Sequence, residues 1–430
     1  MVNFFTIMKS MNHNVKLVFA FTFFQSFGRG IWMGNVLSSY IFLIANESNE
    51  LLGITSAITG VAMTMTVIPS GIVSDRFPRH FLLRGAAVIG FIGLLFALAA
   101  NSLEIIFLAL LFWGLFQGMN RPSLESIFAD SVESGDRSKI YAWNHLTRQF
   151  AMSAGPFVNV GLFLILGDFW DLRILKSVLM VGILISMISL VIMVFLNDKR
   201  SLGEASEHLN SEYQKNNNNV KNNEVSNLYI SNNKNQVGSS RKKIIFILMA
   251  SNLIIGMGAG MTIKFFPIFF MQIYTLAPIG VQLIMGATSI LTGLTALGAQ
   301  NFSLRRGRAE MIFVVQAIAT SCLFLIALYP PIFVLIPIFL ARGSLMNASQ
   351  PLSRSILMDV VPKYHRGKVN SFQALAWGLF WNFSAAIGGF LIGPSNNYRL
   401  CFLITAGVYV TGTLPIILLI PLVAKEKNAT

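Results

Sequence analysis

The chain has 430 residues, and its 32 Lys and Arg against 18 Asp and Glu leave a net charge of +14. Only 12% of residues are charged and 54% are hydrophobic, whereas soluble domains carry about 25% charge. That balance argues against a soluble enzyme and against a disordered or fibrous chain; at about 20 apolar residues per span it fills roughly eleven or twelve transmembrane helices.

Apolar runs of spanning length fall, in chain order, at about 15–45, 50–73, 81–100, 104–127, 141–167 and 172–196. The first is too long for a signal peptide and lacks a small-residue cleavage site, so a retained span is expected there. A second set covers about 243–273, 277–300, 310–329, 332–354, 369–393 and 399–423. No ten-residue alternation of polar and apolar positions supports a closed barrel. Twelve helices are therefore expected, as an N-terminal six-helix bundle over 1–196 and a C-terminal one over 244–430. Between them, residues 197–243 include four consecutive asparagines, Asn216 to Asn219, and too few apolar residues for a core. They read as a flexible cytoplasmic linker.

The charges lie in short segments between the apolar runs, so the positive balance predicts no nucleic-acid partner. It predicts orientation instead. One set of loops holds Arg76, Arg79, Arg84, Arg137, Lys139, Arg241 to Lys243, Arg305, Arg306, Arg308, Arg366 and Lys368. The opposite loops hold mainly Glu47, Glu50, Glu104, Asp168 and Asp171. By the positive-inside rule both termini face the cytoplasm, most simply in a cell membrane. Cys322 and Cys401 both lie in apolar runs and imply neither a disulfide framework nor a metal site.

Sliding the chain on itself by 229 residues aligns the loops of the two halves without a gap. Arg76 meets Arg305, Arg79 meets Arg308, Pro122 meets Pro351, Asp130 meets Asp359, and Arg137 meets Arg366. Charged, Pro and Gly matches at one offset mark a six-plus-six duplication. Six spans separate equivalent points, so the repeats are parallel and enclose a central cavity whose access alternates as the halves rock.

Residues 71–80, GIVSDRFPRH, join the second span to the third. This loop resembles motif A of the major facilitator superfamily (MFS), a Gly followed by Asp-Arg and further basic residues. The resemblance implies the MFS fold: an all-α polytopic membrane protein with twelve transmembrane helices in two parallel six-helix repeats around a central cavity. It also implies a conformational latch, here Gly71, Asp75, Arg76 and Arg79, with Arg305 and Arg308 in the second copy. Gly71 is expected to permit close helix approach, and the arginines to pair with carboxylates at helix ends. Leu304 stands where Asp75 has its repeat partner, so only the first latch looks complete. Gly114 replaces the arginine usual in the family's motif B, and Gly155-Pro156 is read as a helix kink before it is read as an antiporter motif. Asp130, Arg137, Asp359 and Arg366 follow the fourth and tenth spans as the matching loop charges.

Arg29 lies about 21 Å into the first span and Arg342 about 15 Å into the tenth, at 1.5 Å per residue. A charge at that depth costs at least about 2.5–3.5 kcal/mol and belongs against protein or in a wet cavity. Gln25, Arg29 and Trp32 share one helix face by spacing, and Asn347 lies five positions beyond Arg342. Together with Lys264, which is read first as snorkelling from the outer end of the seventh span, they make the expected substrate cavity. Its net positive charge favours a small organic anion. The repeat sets Glu125 opposite Arg354 at the cytoplasmic mouth, an expected inner-gate pair. No carboxylate sits near the midplane, so the coupling ion, H⁺ or Na⁺ if there is one, has no evident carrier. No nucleotide, hydrolase or metal motif is present, so no enzyme activity, cofactor or metal is expected. The expectation is a monomeric secondary or facilitative transporter in the lipid bilayer. The alternatives are an exporter of amphipathic, drug-like compounds and a non-transporting solute sensor on the same fold.

Overall fold

The computed structural model describes residues 11–133, 137–202, 231–361 and 366–427, and among these it contains helices and no strand. The N-terminal run is broken into α1 (His13–Trp32) and α2 (Asn35–Ile44). Then follow α3 (Asn49–Arg76), α4 (Arg79–Ala99), α5 (Leu103–Ala129), α6 (Arg137–Leu166) and α7 (Leu172–Val194). After a single 3-10 turn at Asp198–Arg200 come α8 (Ser231–Ile263), α9 (Phe266–Tyr274), α10 (Pro278–Arg306) and α11 (Arg308–Ile326). The last four are α12 (Ile332–Val360), α13 (Arg366–Ile392), α14 (Tyr398–Thr413) and α15 (Pro415–Lys427).

Their ends follow from local chemistry. Asn12, Asp171 and Asn397 cap α1, α7 and α14 by accepting hydrogen bonds from the first free backbone amides. The breaks come where the backbone ladder loses a donor or a side chain: Pro267 opens α9, Pro415 opens α15, and Gly34 stands between α1 and α2. Among the described residues, ten spans are long and apolar enough to cross a membrane, α8–α9 and α14–α15 each counting as one. Two shorter apolar helices, Asn35–Ile44 and Gly378–Ile392, fall in the expected first and eleventh segments, which is compatible with twelve spans.

Contacts divide the chain into two compact units, Met1–Ile44 with Val61–Val225, and Ala45–Gly60 with Ser226–Thr430. In the first, α1 packs on α6 and α7, and α4 packs on α5 and α7. In the second, α8 packs on α13 and α14, and α11 packs on α12 and α14. Counted in segments, these are the same pairings moved on by six, so the repeat read from loop residues recurs in the helix packing. Membrane helices approach closely only through small residues. At Gly155 a Cβ would stand 2.1 Å from the Gly30 carbonyl carbon, so α1 and α6 touch backbone to backbone. Pro156 follows directly within α6.

The division departs from the order of the halves at one place, since residues 45–60 group with the second unit. There Asn49 is fully buried. Its Nδ2 donates to Asn396 Oδ1 at 2.7 Å, and the Tyr398 hydroxyl, which donates to Gln272 Oε1 at 2.6 Å, lies 3.3 Å from Asn49 Oδ1. A Cβ at Gly389 would stand 2.4 Å from the Asn49 carbonyl oxygen, so the start of α3 and the end of α13 also meet at van der Waals distance of the main chain.

Candidate functional site

Arg342 is 4% exposed and projects from α12 toward α8, α9 and α14. Its Nη2 donates to the Tyr409 hydroxyl at 2.9 Å and, at the long limit of 3.5 Å, to Thr262 Oγ1. The guanidinium carbon lies 4.8 Å from the centre of the Phe266 ring and 5.8 Å from that of Tyr409. Two aromatic faces and two hydroxyls thus replace water around the charge, where a buried carboxylate would be the usual partner. The Arg342 Nε is buried and has no hydrogen-bond partner. Arg342 also lines a small, partly open recess of about 30 Å³, whose other polar walls are Asn252, Gln316, Asn347, Ser349, Gln350 and Tyr409.

The remaining expected cavity residues divide between the two units, Gln25, Arg29 and Trp32 in the first and Lys264 and Asn347 in the second. Arg29 is partly buried and its Nε is likewise buried without a partner. Gln25 and Trp32 are drawn against α7: Ser189 Oγ lies 2.5 Å from the Gln25 side-chain amide and 2.6 Å from the Ser186 carbonyl, and Trp32 Nε1 donates to Ser186 Oγ at 3.0 Å. Trp32 also stacks edge-to-face on Trp113, 5.2 Å between centroids, and is buried inside the first unit. An indole and an amide can be satisfied by serines of a packed neighbour, whereas a guanidinium has more donors than such a site has acceptors. Asn347 is exposed, with its amide on the Gly343 carbonyl. Lys264 falls in the break between α8 and α9 and is half-buried, its Nζ donating to Ser56 Oγ of α3.

One pair of loop charges forms in each half, at equivalent positions of the repeat. Arg79 bonds Asp130, and Arg308 bonds Asp359 at 2.6 Å; the two pairs are related by the 229-residue shift. Arg308 also donates to Ser355 Oγ at 2.6 Å. The second copy therefore forms its ion pair despite Leu304, because the partner comes from the end of α12. Arg305, Glu125 and Arg354 are exposed. The side chains of Asp75, Arg76, Arg137 and Arg366 lie outside the described residues. A Cβ at Gly71 would meet nothing within 4 Å among the described residues. Two contacts in the first unit had no sequence signal. His80 takes Asp198 Oδ2 on its backbone N–H at 2.9 Å and its Nδ1 at 2.8 Å, and Asn14 Nδ2 donates to Ser131 Oγ and to the Asn197 carbonyl.

The family model of the Major Facilitator Superfamily matches residues 18–234 and 248–430, nearly the whole chain. The chain belongs to this superfamily. It is thus a multi-pass membrane protein of a transporter family rather than an enzyme, and its fold is the one that motif A implies. Solved structures agree on the fold at low identity. The nucleoside transporter NupG is 16% identical with a TM-score of 0.65, covering 94% of this chain and 98% of that one. A bacterial homologue of the lysosomal transporter Spinster, in an inward-facing and occupied conformation, is 12% identical with a TM-score of 0.70, covering 96% of each chain. A bacterial homologue of the iron transporter ferroportin is 12% identical with a TM-score of 0.69, covering 94% and 98%. Among curated proteins, a Na⁺, Li⁺, K⁺/H⁺ antiporter of Planococcus maritimus is 29% identical over 161 residues, or 36% of this chain. The match spans 37% of the antiporter's length.

Proposed function

We propose that this secondary transporter moves a small organic anion by alternating access between two six-helix halves, 1–196 and 244–430, joined by the linker 197–243. The observation that carries the reading is the charge balance at depth. Among the described residues Arg342 is the one charged residue in the buried set, and no Asp or Glu is in it. A buried cation without a carboxylate beside it is best completed by an anionic solute, and Arg29 adds a second positive group in the first half. The Arg79–Asp130 and Arg308–Asp359 pairs then serve as the loop latches, with both termini cytoplasmic in the cell membrane and the monomer as the working unit.

The test is uptake into proteoliposomes from a panel of anions and cations, with pH and Na⁺ gradients imposed in turn. Anion uptake is expected, abolished in Arg342→Gln and reduced in Arg29→Gln; anion uptake unchanged in both variants refutes the reading. The similarity to a cation/proton antiporter favours a second reading, exchange of Na⁺ or K⁺ for H⁺, and uptake of cations alone in the same assay would establish it. Stimulation by a pH or Na⁺ gradient identifies the coupling ion.

A further inference from the structure

We infer that the recess beside Arg342 is a subsite for a small oxyanion that carries its own hydrogen-bond donor, and that Gln316 is the residue selecting for that donor. The inference rests on the anion reading above and deepens it. Gln316, on α11, is 1% exposed and also lines the recess. Its amide orientation is fixed by its neighbours. Ser349 Oγ donates its one proton to the Met346 carbonyl at 2.8 Å, so toward Gln316 it can only accept. The Gln316 amide therefore presents Nε2 to Ser349, at 3.2 Å, and its Oε1 is left buried with no partner.

The same reasoning applies to the donors. Arg342 has no acceptor atom, so the Tyr409 hydroxyl must accept from Nη2, and its own proton stays available. Arg342 Nε–H is buried and unused. The residues lining the recess thus hold two uncommitted donors, Arg342 Nε–H and Tyr409 O–H, and one uncommitted acceptor, Gln316 Oε1. No Asp or Glu is among the lining residues. A carboxylate or phosphate group satisfies the two donors, and a hydroxyl or amino group on the same molecule satisfies the acceptor. Buried polar atoms left without partners are uncommon, and each is a site where a matching ligand gains more than a mismatched one. Asn347 and Gln350 at the wall are exposed, so the recess has a polar mouth above its buried base. Arg342 comes from α12, Gln316 from α11, Tyr409 from α14 and Asn252 from α8, so selection would be set by packing among four helices of the second unit.

The experiment is equilibrium binding to the purified full chain. The probes are two- to six-carbon carboxylates and glycerol phosphates, each compared with the counterpart in which hydroxyl or amino is replaced by hydrogen or methyl. At least one donor-bearing oxyanion is expected to bind about 10-fold or more tighter than its counterpart. Gln316→Leu should reduce that preference to about 3-fold or less, while Arg342→Gln weakens both members of the pair alike. If Gln316→Leu does not fold, Ser349→Ala removes the acceptor that orients the amide, and the preference should shrink there as well. Equal binding of counterparts by the unaltered chain, or a preference undiminished in the foldable variant, overturns the inference and leaves the anion reading standing. Binding of no oxyanion, with none moved in the uptake assay, overturns both.

Discussion

Tyr409→Phe tests how the buried guanidinium of Arg342 is held. The substitution removes one oxygen and keeps the ring that lies 5.8 Å from the guanidinium carbon. It deletes the 2.9 Å acceptor of Nη2 and leaves that nitrogen with Thr262 Oγ1 at 3.5 Å, the outer limit of a hydrogen bond. Both residues are almost fully buried. A hydrogen bond to a charged group contributes about 1.5–3 kcal/mol, so the folded state should weaken by that amount, roughly 10- to 150-fold in the unfolding equilibrium. Arg342→Met removes the charge at similar volume, and such replacements are often neutral or stabilising. In that background Tyr409→Phe should cost under about 0.5 kcal/mol, because no donor remains to be orphaned. The assay is denaturant unfolding of the four proteins of the cycle in one detergent. A coupling below about 0.5 kcal/mol between positions 342 and 409 would refute the view that Tyr409 completes the arginine's hydrogen bonding.

The loop ion pairs should behave differently. Their carboxylates are 38% and 60% exposed, so Asp130→Asn or Asp359→Asn should cost under about 1 kcal/mol in unfolding while lowering the uptake rate. Reversing both charges of the Arg308–Asp359 pair should recover part of the rate that either single reversal loses, and no recovery counts against a latch. At the buried amide of α3, Asn49→Ala should lower stability by about 1 kcal/mol through its 2.7 Å hydrogen bond to Asn396. Gly389→Val should cost more, about 1–3 kcal/mol, because its Cβ meets main chain that cannot turn aside. An unfolding midpoint for Gly389→Val no lower than that for Asn49→Ala would show that the two backbones do not hold this contact.

Much of the architecture is legible without coordinates because a bilayer makes simple demands. Every backbone polar group must be satisfied within its own helix, so apolar length alone marks the spans. The duplication was legible for a related reason: loop charges and prolines are few, and their recurrence at one offset stands out against an apolar background. It extended to contacts, since Asp130 with Arg79 and Asp359 with Arg308 were among the pairings that the repeat allowed. The limits show at particular residues. Gly71 reads as a packing glycine, and a Cβ there would meet nothing within 4 Å among the described residues; Gly155 reads as a kink, and it also seats α6 against Gly30. A sequence marks a glycine without saying what faces it.

The candidate site divides along the same line. Ionisable residues in apolar runs announce themselves by their desolvation cost, and Arg29 and Arg342 were found that way. Gln25 and Trp32 share the Arg29 face by spacing, but spacing does not say that Ser186 and Ser189 wait on α7. Gln316, Tyr409 and Thr262 carry no charge and no motif, so nothing along the chain separates them from other polar residues in spans. Their importance comes from distances across four helices, and from a serine whose proton is already committed to its own helix. The sequence by itself therefore determined the membrane class, the duplication and the costly charges, because those depend on composition and order. Which polar atoms are left over, and so what the site can ask of a solute, was decided only by packing, because a hydrogen bond depends on what other elements bring within about 3 Å.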